Sequence, residues 1–408
     1  MIQLLKSRLT PFKHTAFRNF FIVQSVSLIG SWSHDLARAY IVIEMMGQAG
    51  ALGSLMLAVA IPSLFLMMHG GVLVDRIDAR RLMIFTKSLL AIASLILAFV
   101  TEYADIKMWH LLLFCFIEGA VMSFDSPAYQ TLTVRLVPME DFQQAIAINS
   151  TNFHTARMIG PLVAGVLMAW HGPSLVFLFD GLSFLGLIFI LKGLNLRDVK
   201  RDIKKHNTSW AALWDGICYL FNDLNMRYLV LQLLTTILII FPVLIVVFRT
   251  YMKLKFNLNA DEFGYVFAFP AAGAMMGSLM FAAIKPKKPV NALKIAIPFV
   301  VLFMWIIPHF NSLNPSVFAM TFLGFFTYLC FASLTVSLHL FVKEEYRGRM
   351  GALIGISFIS LGPLVSFPIG VFADKYGYEF SIYLSAVIFG IASSILALLH
   401  KKKHLISA

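Results

Sequence analysis

The sequence predicts an all-α polytopic membrane protein with twelve transmembrane helices in two six-helix halves. Composition points there first: 59% of the 408 residues are hydrophobic and 13% are charged, well outside the range of soluble domains. Span counting agrees. A helix needs about 20 apolar residues to cross roughly 30 Å of hydrocarbon, and such runs begin near residues 17, 51, 82, 109, 142, 173, 226, 261, 291, 314, 350 and 379. Basic residues supply the third observation. Lys6, Arg8 and Lys13, then Arg76, Arg80 and Arg81, then Arg197 to Lys205, then Lys285, Lys287 and Lys288, then Arg347 and Arg349, then Lys401 to Lys403 fall on alternate loops. The opposite loops hold about five Lys or Arg against more than twenty, which places both termini in the cytoplasm.

The longest polar stretch, LRDVKRDIKKHNTSW from Leu196 to Trp210, sits near the midpoint. It divides the chain into a first half, 1–192, a cytoplasmic central loop, 193–225, and a second half, 226–408. ARMIGPLVAGV around Gly160 recurs as FISLGPLVSFP around Gly362, in the fifth helix of each half. That offset suits a duplicated six-helix unit with a site at the midplane.

Several function classes are excluded on the same grounds. A net charge of +12 would suit a nucleic-acid partner only if the basic residues shared one face, and they lie in short loops instead. Cys115, Cys218 and Cys330 fit no metal-ligand spacing. The basic N-terminus leads into a long helix without a small-residue cleavage site, so it does not read as a removable signal. No HExxH, phosphate-cradling glycine loop or nucleophile elbow is present, which argues against an enzyme and against a resident cofactor or metal.

Helix one carries the densest intramembrane polarity. With 3.6 residues to the turn, Gln24, Ser27, Ser31, His34, Asp35 and Arg38 all fall on one third of the helix circumference. A single polar face suits a helix lining a water-filled cavity. Asp35 and Arg38 also have the spacing of a local ion pair, and a third reading places these residues at the outer surface. Glu44 lies off the stripe, near the outer end. Loop two to three reads GGVLVDRIDARRL and supplies Gly71, Asp75, Arg76, Arg80 and Arg81. Helix four has Glu118 near mid-depth and Asp125 at its inner end. Helix five combines Asn149, Asn152, His154 and Arg157 with Gly160, Pro161 and Gly165. Glu118 either neutralises Arg157 or titrates, because desolvation and a nearby Arg act on a carboxylic acid in opposite directions. Asp180 in helix six and Gln232, Thr235 and Thr236 in helix seven are further candidates. The second half offers hydroxyls, Phe and Met: Tyr328, Ser333, Thr335 and Ser337 in helix ten, and Ser357, Ser360 and Ser366 in helix eleven.

The pattern Gly71-x-x-x-Asp75-Arg76-x-x-x-Arg80-Arg81 is similar to the loop motif of the major facilitator superfamily. GSWSHDLARAYIVIEMMGQAGALG, DSPAYQTLTVRLVP, AINSTNFHTARMIGPLVAG and EEYRGRMGAL further resemble its subgroup of enterobactin exporters and macrolide efflux proteins. The resemblance implies the major facilitator fold and a monomeric exporter in a bacterial inner membrane. It also implies that a bulky organic molecule, siderophore-like or drug-like, moves by alternating access against a proton gradient. A lipid or lysophospholipid transporter is the alternative. By the same resemblance Asp75 meets the N-terminus of helix eleven near Arg349, and Arg80 or Arg76 reaches Asp125, forming a cytoplasmic gate. The chain departs from the pattern in places: AAIKPKKPVN lacks the acidic residue, and helix four has Glu118 where many antiporters carry Arg. GVFADKYG, from Gly370 to Gly377, reads as a helix terminus and turn.

Overall fold

The computed structural model describes residues 10–194, 218–221 and 223–406, excluding the side chains of 68–76, 347 and 401–406. Among the described residues there is no strand, and twelve long helices follow one another. They are α1 (Thr15–Met46), α2 (Ala49–Arg76), α3 (Ala79–Tyr103), α4 (Met108–Leu136), α5 (Phe142–His171) and α6 (Pro173–Gly193). The second series is α7 (Leu224–Phe256), α8 (Ala260–Ile284), α9 (Pro289–His309), α10 (Leu313–Phe341), α11 (Glu344–Tyr376) and α12 (Tyr378–Ile406). Ten are long and apolar enough to cross a bilayer. The other two, α1 and α5, have the length at 32 and 30 residues, and it is their polarity that sets them apart. They are the helices whose sequences carry the largest groups of expected intramembrane polar residues, Gln24 to Arg38 and Asn149 to Arg157.

The boundaries follow from local chemistry. Asp78 caps α3, accepting from the Arg80 and Arg81 amides at 2.9 and 3.3 Å, which satisfies donors that the first turn leaves open. Gly172, with φ of 82°, ends α5 in backbone that few side chains adopt, and Pro173 opens α6 where no amide is needed. The turns after α1, α5, α7 and α11 all use positive φ, at Gly47, Gly172, Asn257 and Gly377. Gly47 and Asn257 follow the first helix of each half, and Gly172 and Gly377 the fifth, close to the offset of the internal repeat. The sequence repeat therefore reappears in turn geometry.

The chain divides into two compact units, one of Met1–Ile41, Ile61–His206 and Asn259–Ala268, the other of Val42–Ala60, Asn207–Leu258 and Phe269–Ala408. The dividing lines cut through α1, α2 and α8 rather than falling only at the central loop. Within the first unit, α3 packs on α6 and α4. Phe17, Phe20, Met83, Leu132, Leu187 and Leu191 belong to one apolar cluster there. Lipid tails are as apolar as these side chains, so association depends on close fit and small residues. A Cβ on Gly264 would lie 2.5 Å from the Pro161 carbonyl and 2.6 Å from Gly165 Cα, so α5 and α8 cross almost backbone to backbone. In the second unit, α9 and α10 interlock through the Phe299–Phe326 stack, with ring centroids 4.5 Å apart. There, α2 and α11 cross at Gly53 and Gly370. Both α7 and α11 contain π-helical segments, Thr236–Ile240, Val243–Val247 and Ser357–Leu361, and Phe241 meets Phe358 between them at 4.4 Å.

Candidate functional site

The ionisable residues of the first unit collect where α1, α3, α4 and α6 meet. Arg38 is at the centre of one group. Its Nη1 donates to Glu118 Oε2 at 2.5 Å and to Cys115 Sγ at 3.1 Å, and its Nη2 donates to Asp35 Oδ1 at 3.2 Å. The guanidinium also lies 5.4 Å from the Phe114 ring centroid. The Arg38 side chain is 4% exposed, whereas those of Asp35 and Glu118 are 21% and 24% exposed. The base is buried and its two acids retain access to the surface. One turn away, His34 Nδ1 lies 2.9 Å from Asp180 Oδ2, which also accepts from Ser94 Oγ at 2.8 Å. Ser31 Oγ reaches Asp180 Oδ1 at 3.4 Å. Gly30 makes the approach possible, since a Cβ there would sit 3.0 Å from Asp180 Oδ1.

The polar face of helix one is thus a real face, but most of it turns inward. Gln24, Ser27, His34 and Arg38 are all buried; neighbouring helices supply partners for His34 and Arg38 in place of water, whereas Gln24 Oε1 has none among the described residues. Asp35 and Ser31 keep partial exposure. Glu44 is paired with Lys253 at 2.5 Å.

On α5, Arg157 lies 5.5 Å from the Trp32 ring, and Trp32 meets Phe153 edge-on at 5.5 Å. The described ion-pair partner of Glu118 is Arg38, rather than Arg157, which the sequence offers as one of two alternatives for it. Asn152 is buried and Asn149 half-buried. Gly160 accommodates α1: its carbonyl accepts from Ser33 Oγ at 2.8 Å, and a Cβ would collide with Trp32 at 2.5 Å. Gly165 faces Gly264, and Pro161 lies beside the same crossing. These three residues fix helix packing. In the second unit Ser333, Ser337, Ser357, Ser360 and Ser366 are buried, and Ser357 and Ser366 donate to their own helix at Leu353 and Gly362. Of the expected hydroxyls these five are thus buried, whereas Tyr328 and Thr335 are half-buried.

Of the two bases expected at Asp125, Arg80 lies elsewhere and the Arg76 side chain is outside the described residues. The partners of Asp125 are Lys87 Nζ and Thr86 Oγ1, each at 2.8 Å. Arg80 instead donates to the Leu194 carbonyl at 3.1 Å and to that of Lys192. Sitting at the start of α3, it reaches the end of α6, whereas Lys87 lies two turns deeper and level with Asp125. Arg81 contributes its amide to Asp78, whose carboxylate pairs with Arg135 at 2.8 Å. Partial burial raises the Asp78 carboxyl, but the Arg135 hydrogen bond and the two amides outweigh it and hold it below its ordinary value. Arg349 lies over Tyr346 at 4.9 Å. The side chains expected at Gly71, Asp75 and Arg76 lie outside the described residues.

Sequence reasoning missed Lys87 and Ser94. Lys87 was detectable, since an intramembrane Lys in an apolar run marks function by default; Ser94 carried no such signal. GVFADKYG does more than end a helix: Asp374 Oδ1 and Oδ2 accept from the Ala49 and Gly50 amides of α2 at 2.8 and 2.7 Å. Among the described residues no group of His, Cys, Asp and Glu is arranged to hold a metal.

Comparison with known proteins gives the context. The family model described as transmembrane secretion effector matches residues 6–405. Macrolide efflux protein A of Streptococcus pyogenes is 27% identical over 161 residues, 39% of this chain and 40% of that protein. The enterobactin exporter EntS of Shigella flexneri is 23% identical over 268 residues, 65% of this chain and 62% of that protein. The matched region thus spans less than two thirds of either relative. The crystal structure of the nucleoside transporter NupG superposes with a TM-score of 0.72 at 14% identity, over 95% of this chain and 99% of that one. At that identity the likeness concerns the fold.

Proposed function

This chain belongs to the transmembrane secretion effector family of the major facilitator superfamily, and from that premise we propose that it exports a bulky organic molecule by proton-coupled alternating access. The relatives named for macrolide efflux and enterobactin export support a large cargo of the siderophore or drug type. The basic-loop asymmetry supports both termini in the cytoplasm, and resemblance to these exporters supports a bacterial inner membrane and a monomer driven by the proton gradient without a cofactor.

One observation carries the coupling: Arg38 is buried between two carboxylates that retain access to the surface. Asp35 and Glu118 share one guanidinium inside the membrane, where a charged group costs about 2.5–3.5 kcal/mol, so the charge state of this group is closely balanced. A proton on either acid makes the group one unit more positive, and so does a cationic group on the cargo. Exchange between the two is the elementary requirement of antiport.

The test is transport by purified protein in proteoliposomes under an imposed pH gradient, with macrolides and hydrophobic dyes as probes. Wild-type protein is expected to move at least one of them in response to the gradient. Asp35→Asn is expected to abolish gradient-driven movement while remaining folded and inserted. Full coupling in that variant removes Asp35 from the mechanism, and no response of the wild type to any proton gradient removes the coupled-exporter reading.

A further inference from the structure

We propose that His34 and Asp180 form a second proton-binding station, apart from the Arg38 group, which takes its proton on His34 Nε2. The inference rests on the proton-coupled reading and deepens it.

The geometry starts with Asp180, which is 1% exposed. Its carboxylate receives Ser94 Oγ at 2.8 Å, His34 Nδ1 at 2.9 Å and Ser31 Oγ at 3.4 Å. Ser94 and His34 both donate to it, and the single hydroxyl hydrogen of Ser31 is shared with the Ser27 carbonyl at 3.1 Å, so the carboxylate needs no proton of its own to be satisfied. The bond to Asp180 requires the hydrogen on Nδ1, which leaves neutral His34 with a bare lone pair on Nε2. That atom has no partner among the described residues, although the residue is 2% exposed. Buried polar atoms are seldom left open, and each such exception needs a cause. Here the open position is a basic nitrogen beside an anion. A proton arriving from water forms the Nε2–H bond, converts imidazole to imidazolium and brings the pair from a net charge of −1 to zero; no electrons move. The surroundings accept a cation there, since the His34 ring stacks on Phe114 at 4.2 Å and leans on Phe177 at 4.5 Å.

The charged neighbours set the relation to the first station. On α1 they are Asp35 and Arg38; on α4, Cys115 and Glu118, both reached through Arg38. α3 contributes Ser94, its Lys87 being held by Asp125, and α6 contributes Asp180, with Ser174 and its partner Glu102 about two turns further out. Arg38 lies one helical turn from His34, about 6 Å along the axis, and both bear on the Phe114 ring. A proton on His34 therefore strengthens the hold of that region on negative charge and opposes protonation of Asp35 or Glu118. The two stations pass one proton between them rather than loading together.

Solid-state NMR on full-length protein labelled with 15N-histidine, in lipid nanodiscs between pH 8 and 5, tests this without any cargo. One histidine signal, assigned by its loss in His34→Gln, is expected to show the Nδ1–H tautomer at high pH and to become doubly protonated on acidification. Asp180→Asn should shift that transition, and Glu118→Gln should move it to lower pH by removing a nearby negative charge. A signal that stays neutral to pH 5, or a transition unmoved by both substitutions, overturns the station. If His34 takes up its proton but proteoliposomes ignore the gradient, the station stands and the coupled-exporter reading falls.

Discussion

Arg38 is the residue whose removal has the clearest physical consequence. Arg38→Met would remove the guanidinium that Asp35 and Glu118 share, and removing one partner of a buried ion pair costs roughly 3–5 kcal/mol. Thermal unfolding in detergent should show the loss. Adding Glu118→Gln should return part of it, because the second substitution removes one of the stranded charges; a double variant no more stable than Arg38→Met would mean that Glu118 is not the partner that matters. Arg38→Lys should rescue incompletely, since an ammonium lacks the planar fork that reaches Glu118 and Asp35 from separate nitrogens. At this scale the sequence was half legible. Helical periodicity placed His34, Asp35 and Arg38 on one face, and their spacing suggested the Asp35–Arg38 contact. It did not show that Asp180 and Ser94 would meet His34, because those partners lie far along the chain and are brought in by the packing of α3 and α6.

Helix contacts show the same division between local signals and long-range partners. The GPLVAG run marked α5 as unusual, yet its tight crossing depends on Gly264 of α8, about a hundred residues away. Gly264→Ala should destabilise the protein by about 1–3 kcal/mol, the usual cost of overpacking; the obstacle is backbone of α5, which cannot rotate aside as a side chain would. An unchanged melting temperature would show that α5 and α8 can separate freely. At the start of α2, Asp374→Ala should cost about 1 kcal/mol, in the range of a lost helix cap, because two amides lose their acceptor. Asp374→Asn should cost less, keeping one acceptor oxygen. Asp374 follows Gly370 with the spacing by which Asp75 follows Gly71, so the sequence contained this acid in a recognisable frame without identifying the helix end it caps.

For the whole molecule, span counting and the basic-loop alternation made the twelve-helix plan readable, since bilayer thickness constrains every segment alike. The exchange of chain between units was not readable: α1, α2 and α8 are continuous helices in sequence, and only packing divides them. Loop chemistry gives a global prediction. Asp78 joins the start of α3 to the end of α4 through Arg135, and Asp141 joins the start of α5 to His14 at 2.8 Å. Hydrogen bonds from Thr10 and His14 hold the Asp141 carboxyl below its ordinary value, as Arg135 and the capped amides do for Asp78. Both acids therefore bind protons less readily folded than unfolded. Near the ordinary carboxylate value of about 4, the unfolded chain takes up more protons, so stability rises with pH through that window. The stabilisation is complete above it and is lost as pH falls through the lower folded values. Melting temperature followed in detergent from pH 6 downward should drop with acidification, and the combined Asp78→Asn and Asp141→Asn variant should start lower and drop less. An identical acid slope in that variant would transfer the effect to other carboxylates.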